Sequence, residues 1–152
     1  MKKKVRGFEV VENWARKNKE VIMPLRKTKY SAGYDFLAPY SFDIMPDETV
    51  VIVTDIKVYM LPDEYLKIVP RSSLGMKKDT IIKNLVGVID YDYYNNSSTG
   101  GNIKIGLKNI GEEPQYFEKE EGLVQGIFTK YLVADNCNVD EVRKGGIGST
   151  NK

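Results

Sequence analysis

The feature that most limits the fold of this chain is a series of short runs, β-branched or alternating, each closed by turn residues. Residues 49–54 are β-branched, which suits a strand buried on at least one side. Residues 56–60 alternate apolar and polar, and Leu61-Pro62-Asp63-Glu64 then turns the chain. Residues 65–69 read as the next strand, stopped by Pro70. Residues 103–108 alternate cleanly, and residues 126–132 read as a further strand. Short strands at intervals of about ten residues imply a mainly β architecture, whether sandwich, jelly roll or barrel. Two short helical segments are expected as well, residues 9–19 around Trp14 and residues 74–80.

The chain has 152 residues, 41% hydrophobic and 29% charged. That is the size of one domain, able to bury roughly 70% of its unfolded surface. It contains no histidine and one cysteine, Cys137. Serine–histidine and cysteine–histidine nucleophile pairs, imidazole-held zinc, an internal disulfide and a thiolate metal cage are therefore excluded. Proton transfer near neutral pH falls to Asp, Glu, Tyr, Lys or a metal-bound water. The net charge of +2 is too small to imply a nucleic-acid partner, and Lys2-Lys3-Lys4 with Arg6 reads as a solvated terminus. No apolar run approaches the ~20 residues of a membrane span, and no hydrophobic segment follows Lys4 as in a secretory signal. A cytoplasmic protein with no membrane partner is expected, so the sequons in Asn95-Asn96-Ser97-Ser98 are a polar loop.

Three segments concentrate chemistry. In Arg143-Lys144-Gly145-Gly146-Ile147-Gly148-Ser149-Thr150, glycines permit close backbone approach to an anion while hydroxyls and basic groups supply donors. With only Asn151 and Lys152 following, this loop cannot open a helix as a P-loop does. It is either an arm that orders on phosphate or a frayed tail. Pro70-Arg71-Ser72-Ser73-Leu74-Gly75 ends a strand in an arginine fork and two hydroxyls, which suits phosphate oxygens or an Arg–Asp pair with serine capping. Gly87-Val88-Ile89-Asp90-Tyr91-Asp92-Tyr93 carries two carboxylates just where the strand is expected to end. Taken singly, none of these decides the function.

Together and in order they do. Ser31-Ala32-Gly33-Tyr34-Asp35-Phe36, then Pro70-Arg71-Ser72-Ser73-Leu74, residues 84–93, Val124-Gln125 and residues 143–150 resemble the five motifs of the trimeric dUTPases. Pro24-Leu25-Arg26-Lys27-Thr28 and Leu61-Pro62-Asp63-Glu64-Tyr65 are similar to the family's supporting segments. The resemblance runs from about Pro24 to Thr150, leaving residues 1–23 as a less family-like segment of a single domain, 1–152. It implies a jelly-roll-like homotrimer with shared active sites, a flexible C-terminal arm over 138–152, and hydrolysis of dUTP to dUMP and pyrophosphate with Mg²⁺. By the same resemblance, Asp90 orients and deprotonates the attacking water and bonds the 3′-hydroxyl. Tyr93 packs under the deoxyribose, and Asn84 with the backbone of Gly87, Val88 and Ile89 reads the uracil. Arg71, Ser72 and Ser73 contact the phosphates, and Gln125 contacts the α-phosphate region or the water. Asp35 supports the arginine and acts on the metal through waters, with no direct protein ligand. Arg143, Gly146, Ile147, Gly148, Ser149 and Thr150 form the arm that closes over the γ-phosphate.

Three departures from the family pattern stand out. Ile147 replaces an aromatic that stacks on uracil, and Gly122 replaces an arginine three residues before Gln125. The loop of residues 94–102 is longer than the family's turn, and Tyr94 is the candidate to cover the base in place of the aromatic. A dCTP deaminase shares the fold but expects a glutamate in the strand after the third motif, and residues 103–109 contain no acid. A nucleotide-gated regulator is the other alternative, with a protein partner contacting the 94–102 loop or the Trp14 segment.

Overall fold

The computed structural model describes residues 1–148 and 150. In chain order its strands are β1 (Gly7–Val10), β2 (Tyr34–Leu37), β3 (Phe42–Ile44), β4 (Thr49–Val53), β5 (Ile56–Tyr59), β6 (Glu64–Pro70), β7 (Thr80–Ile82), β8 (Gly87–Asp90), β9 (Lys104–Asn109), β10 (Gln115–Phe117) and β11 (Gly122–Lys130). One helix, α1 (Ser72–Lys78), follows β6, and 3₁₀ turns occupy Asn13–Ala15 and Tyr91–Tyr93. The architecture is mainly β, as the run pattern implies. Among the described residues no helix is long and apolar enough to cross a membrane.

Every strand pairing is antiparallel: β2-β11-β6-β8 form one sheet, β4-β9-β7 a second, and β1-β5 and β3-β10 pair separately. The period of two is visible in β6, where Glu64, Leu66 and Ile68 are buried and Tyr65, Lys67 and Val69 are partly exposed. In β9 Ile105, Leu107 and Asn109 turn inward in the same way. Phe36, Leu66, Ile68 and Val124 from the first sheet meet Ile52, Ile82, Ile105 and Leu107 from the second in one apolar cluster. Phe117 of β10 and Phe42 of β3 add a stacked pair at 5.0 Å.

Three expectations need correction. Residues 9–19 are not a helix: Phe8 and Val10 pair with Val58 and Ile56 of β5, and only Asn13–Ala15 makes a 3₁₀ turn. Phe8 packs 5.3–5.6 Å from the rings of Tyr34, Phe36 and Phe128, and that distant aromatic partner outweighs any local helical tendency. The second helix starts two residues earlier than expected and ends at Lys78, because Thr80 is already paired with Asn109. Likewise β11 begins at Gly122 rather than at residue 126, since it is the interior strand hydrogen-bonded to both β2 and β6.

Candidate active site

Two groups of polar side chains are built on the four-stranded sheet. The first is at the end where β6 hands over to α1. Asp35 of β2 lies opposite Gln125 of β11, and Gln125 lies opposite Val69 of β6. Arg71 follows directly from β6, and its Nε sits 3.3 Å from Oδ2 of Asp35, a carboxylate only 8% exposed. Lys27 approaches the same oxygen at 3.9 Å. Gln125 donates from Nε2 to the carbonyl of Pro70 at 3.2 Å. Gly33 lies against this glutamine: a Cβ there would come within 2.9 Å of the Gln125 Cβ. Ser72 and Ser73 begin α1, Ser72 exposed beside Arg71. The sequence alternative of an Arg–Asp pair at this strand end is therefore present in the structure, and it leaves the arginine partly exposed.

The second group surrounds a cavity of about 490 Å³. The connection from β7 to β8, with β8 itself, contributes Asn84, Gly87, Val88, Ile89 and Asp90; Tyr93 comes from the turn that follows; the arm contributes Arg143, Gly146, Ile147, Gly148 and Thr150. All the third-motif residues singled out in the sequence thus meet the described arm residues around one space. Ser149 lies outside the described residues. β8 ends at Asp90, so Asp90 and Asp92 do not continue a strand face. They converge instead on one arginine: Arg143 Nη2 is 2.8 Å from Asp90 Oδ2, and its Nε is 3.2 Å from Asp92 Oδ1. The Arg143 backbone N–H also donates to Asp92 Oδ2 at 2.9 Å. Tyr93 is buried, and its hydroxyl donates to the Asn102 carbonyl at 2.8 Å.

Sequence reasoning missed part of this cavity. Lys104, Ile105 and Gly106 of β9 form a wall of it, with Ile68 and Ile82. Nothing in residues 103–108 beyond alternation marks that strand as site-forming, because its neighbourhood is created by the pairing of β7 with β9. The role of Asp92 as an anchor for the arm was equally invisible, since its partner is 51 residues away.

The structure corrects the expectation for Tyr94. Its hydroxyl donates to Glu9 Oε2 at 2.7 Å, its ring lies 5.0 Å from Lys57 Nζ, and it lines a different cavity from Asn84 and Asp90. Burial, reinforced by the bond to Glu9, pushes the Tyr94 phenol up to about 12. The same hydrogen bond holds the Glu9 carboxyl below its ordinary range. Tyr94 therefore clasps the loop to β1 instead of covering a base. The rest of the loop braces its neighbours: Asn96, 5% exposed, donates to the Tyr93 carbonyl at 2.9 Å and accepts from Ser98 and Thr99 N–H groups. Ser97 Oγ donates to the carbonyl of Lys144 in the arm at 2.8 Å.

Comparison with known proteins agrees with this arrangement. A family model described as dUTPase matches residues 19–151. The deoxyuridine 5′-triphosphate nucleotidohydrolase of Lactococcus lactis is 43% identical over 149 residues, covering 97% of this chain and 98% of that protein. The Haemophilus influenzae enzyme of the same name is 33% identical, covering 88% of this chain and 89% of its own. Among solved structures, the Streptococcus mutans dUTPase superposes with a TM-score of 0.76 at 36% identity, covering 86% of this chain and 99% of that one. The Staphylococcus bacteriophage 80α dUTPase shares the fold, with a TM-score of 0.71 at 22% identity over 91% of this chain and 98% of its own. Neither the deaminase nor the regulatory alternative is favoured by these matches. With the ordered motifs gathered on one sheet and around one cavity, the chain belongs to the dUTPase family.

Proposed function

We propose that the protein is a dUTP diphosphatase that hydrolyses dUTP to dUMP and pyrophosphate, working as a homotrimer of jelly-roll-like single domains in the cytoplasm. The observation that carries this reading is the meeting of Asp90, Tyr93 and the Asn84 loop with the arm around one nucleotide-sized cavity. Asp90 accepts a hydrogen bond from the attacking water and takes its proton. The water oxygen bonds to the α-phosphorus, and the bond to the bridging oxygen of the departing pyrophosphate breaks. A positioned carboxylate suffices for that proton transfer, which suits a chain without histidine. Tyr93, pinned through Asn102, gives the deoxyribose a floor that leaves no room for a 2′-hydroxyl. Asn84 and the backbone of Gly87, Val88 and Ile89 face the same cavity and read the base.

The phosphates are gripped from the other group. Asp35 holds Arg71 by its Nε, Ser72 and Ser73 add hydroxyl donors, and Gln125 serves the α-phosphate region or the water. The arm closes with Arg143, Gly146, Ile147, Gly148, Ser149 and Thr150, and the γ-phosphate offers Arg143 oxygens that compete with those of Asp90 and Asp92. Among the described residues no cluster of three or more carboxylate or thiol groups could hold a cation, and Asp35 is engaged by Arg71. Mg²⁺, which binds through few carboxylates plus phosphates and water, fits that donor set, with Asp35 reached through water. When bound it neutralises charge on the phosphates.

Sheet register supports shared sites. Gln125 is opposite Val69, whereas Asp90 is opposite Tyr65, four residues away and two strands across. Strand geometry puts them about 13 Å apart along the sheet and about 10 Å across it, far beyond hydrogen-bond reach of one water. A second copy supplies the missing half.

Pyrophosphate release from dUTP, with dCTP, dTTP and UTP as controls and EDTA to remove metal, tests the reading. Turnover of dUTP well above the controls, depressed by EDTA, is expected; absence of dUTP turnover in the folded protein overturns it. Asp90→Asn is expected to lower kcat by about 10²–10⁴ with little change in binding, as loss of a general base does.

A further inference from the structure

Position 122 is where the fourth motif departs from the family pattern, and the structure shows what occupies the space an arginine there would start from. Gly122 is buried at the first residue of β11. The register of β11 against β2 shifts between Gly122 and Val124, so the strand carries an irregularity next to the phosphate-side cluster. Such bulges re-aim nearby groups. The Arg71 side chain lies directly over Gly122: a Cβ added at 122 would meet the guanidinium, with 2.9 Å to Cζ and 3.1 Å to Cδ. Arg71 Nη1 donates to the Gly122 carbonyl at 3.3 Å, while its Nε faces Asp35 at 3.3 Å. The guanidinium is thus held from two sides, by a carboxylate on β2 and by a bare stretch of β11 backbone.

We propose that Gly122 is a positioning residue for Arg71: its lack of a side chain lets the guanidinium bridge the Asp35 carboxylate and the β11 backbone, fixing the fork that grips the substrate's phosphates. The proposal rests on the reading of Arg71 as a phosphate contact. The backbone at 122 lies outside the left-handed region reserved for glycine, since no positive φ is found there. Alanine is therefore conformationally acceptable, and its effect reports on space. The clashing atoms belong to the far end of a flexible side chain, so Gly122→Ala moves Arg71 and spares the fold.

The test is a double-mutant cycle of Gly122→Ala with Arg71→Ala, reading dUTP kinetics, inhibition by pyrophosphate and thermal midpoint. Gly122→Ala is expected to lower kcat/KM by about ten- to a hundredfold, the scale of a misplaced positioning group. Inhibition by pyrophosphate weakens in parallel, and the midpoint is unchanged. In the Arg71→Ala background the same substitution changes none of the three. Gly122→Arg, which matches the family pattern, behaves as Gly122→Ala and does not raise activity. Wild-type kinetics in Gly122→Ala, equal losses in both backgrounds, or a gain from Gly122→Arg each overturn the proposal. Should Gly122→Ala fail to fold, folding of the double variant supports the clash with Arg71, and failure of both overturns it. A wild-type protein that ignores dUTP would instead refute the functional reading, while pyrophosphate affinity compared in the two backgrounds would still report on the placement of Arg71.

Discussion

Asp55 shows how much one buried side chain can carry. It is fully buried, its backbone has φ of 59°, and its carboxylate accepts from the N–H groups of Lys17 and Asn18 and from both the Asn18 and Asn102 amides, at 2.6–3.0 Å. Its own N–H donates to Asn102 Oδ1 at 2.9 Å. Because Asn102 also receives the Tyr93 hydroxyl, Asp55 ties the N-terminal segment to the floor of the proposed sugar site. Asp55→Ala strands several buried donors, and a loss on the order of 3 kcal/mol is expected in urea denaturation; a loss under about 1 kcal/mol would show the network to be slack. Glu64, also buried, accepts from Arg6 at 2.7–3.2 Å and from the Leu61 N–H at 3.0 Å. The Arg6 hydrogen bond holds its carboxyl below the ordinary value of 4.5. A depressed carboxyl contributes stability that is complete above its unfolded value and is lost as pH falls through the folded one. Glu64→Gln is therefore expected to flatten the fall in thermal midpoint below roughly pH 5, and an unchanged acid branch would assign that fall to other groups.

The loop from β7 to β8 and the arm are the elements on which the proposed site depends. Leu85, at its tip, has φ of 66°, an unusual state for a bulky residue, and Leu85 N–H bonds the Ile82 carbonyl at 2.9 Å to close the turn. The arm crosses this element in its described part and puts Ile147, 88% exposed, on the rim of the Asn84–Asp90 cavity. With Tyr94 committed to Glu9, Ile147 is the side chain that would meet a base in the proposed reading. Ile147→Phe adds a stacking surface, and KM for dUTP is expected to fall about two- to tenfold, the usual value of one aromatic contact; a raised KM would mean the rim is too narrow for a ring. Strands β4, β5, β6, β9 and β11 were legible because each has four to nine residues, enough for a β-branched or alternating run to be read. β3, β7 and β10 have three residues each, too few to show one, and exist because a partner strand completes them. β1 was misread for the same reason, since its partner β5 lies some fifty residues on.

At the scale of the whole molecule, the separation of Asp90 from the Asp35–Arg71–Gln125 group makes assembly a part of the chemistry in the proposed reading. Mixing the inactive variants Asp90→Asn and Arg71→Ala, after dissociation and reassembly, is expected to restore activity, because some interfaces then pair an intact Asp90 with an intact Arg71. Random pairing gives about a quarter of the sites. No recovery in trimers shown to be mixed by mass would mean that each chain completes its own site. The sequence by itself determined the class of fold, the absence of imidazole chemistry and the ordered motif residues, since strand period, residue identity and motif order are all local or linear properties. Only the tertiary structure decided that Tyr94 clasps β1, that β9 walls the cavity, that Asp92 anchors the arm, and that Gly122 leaves room for Arg71. Each of these depends on groups far apart in the chain meeting within a few ångströms, and that proximity is set by packing rather than by composition or period.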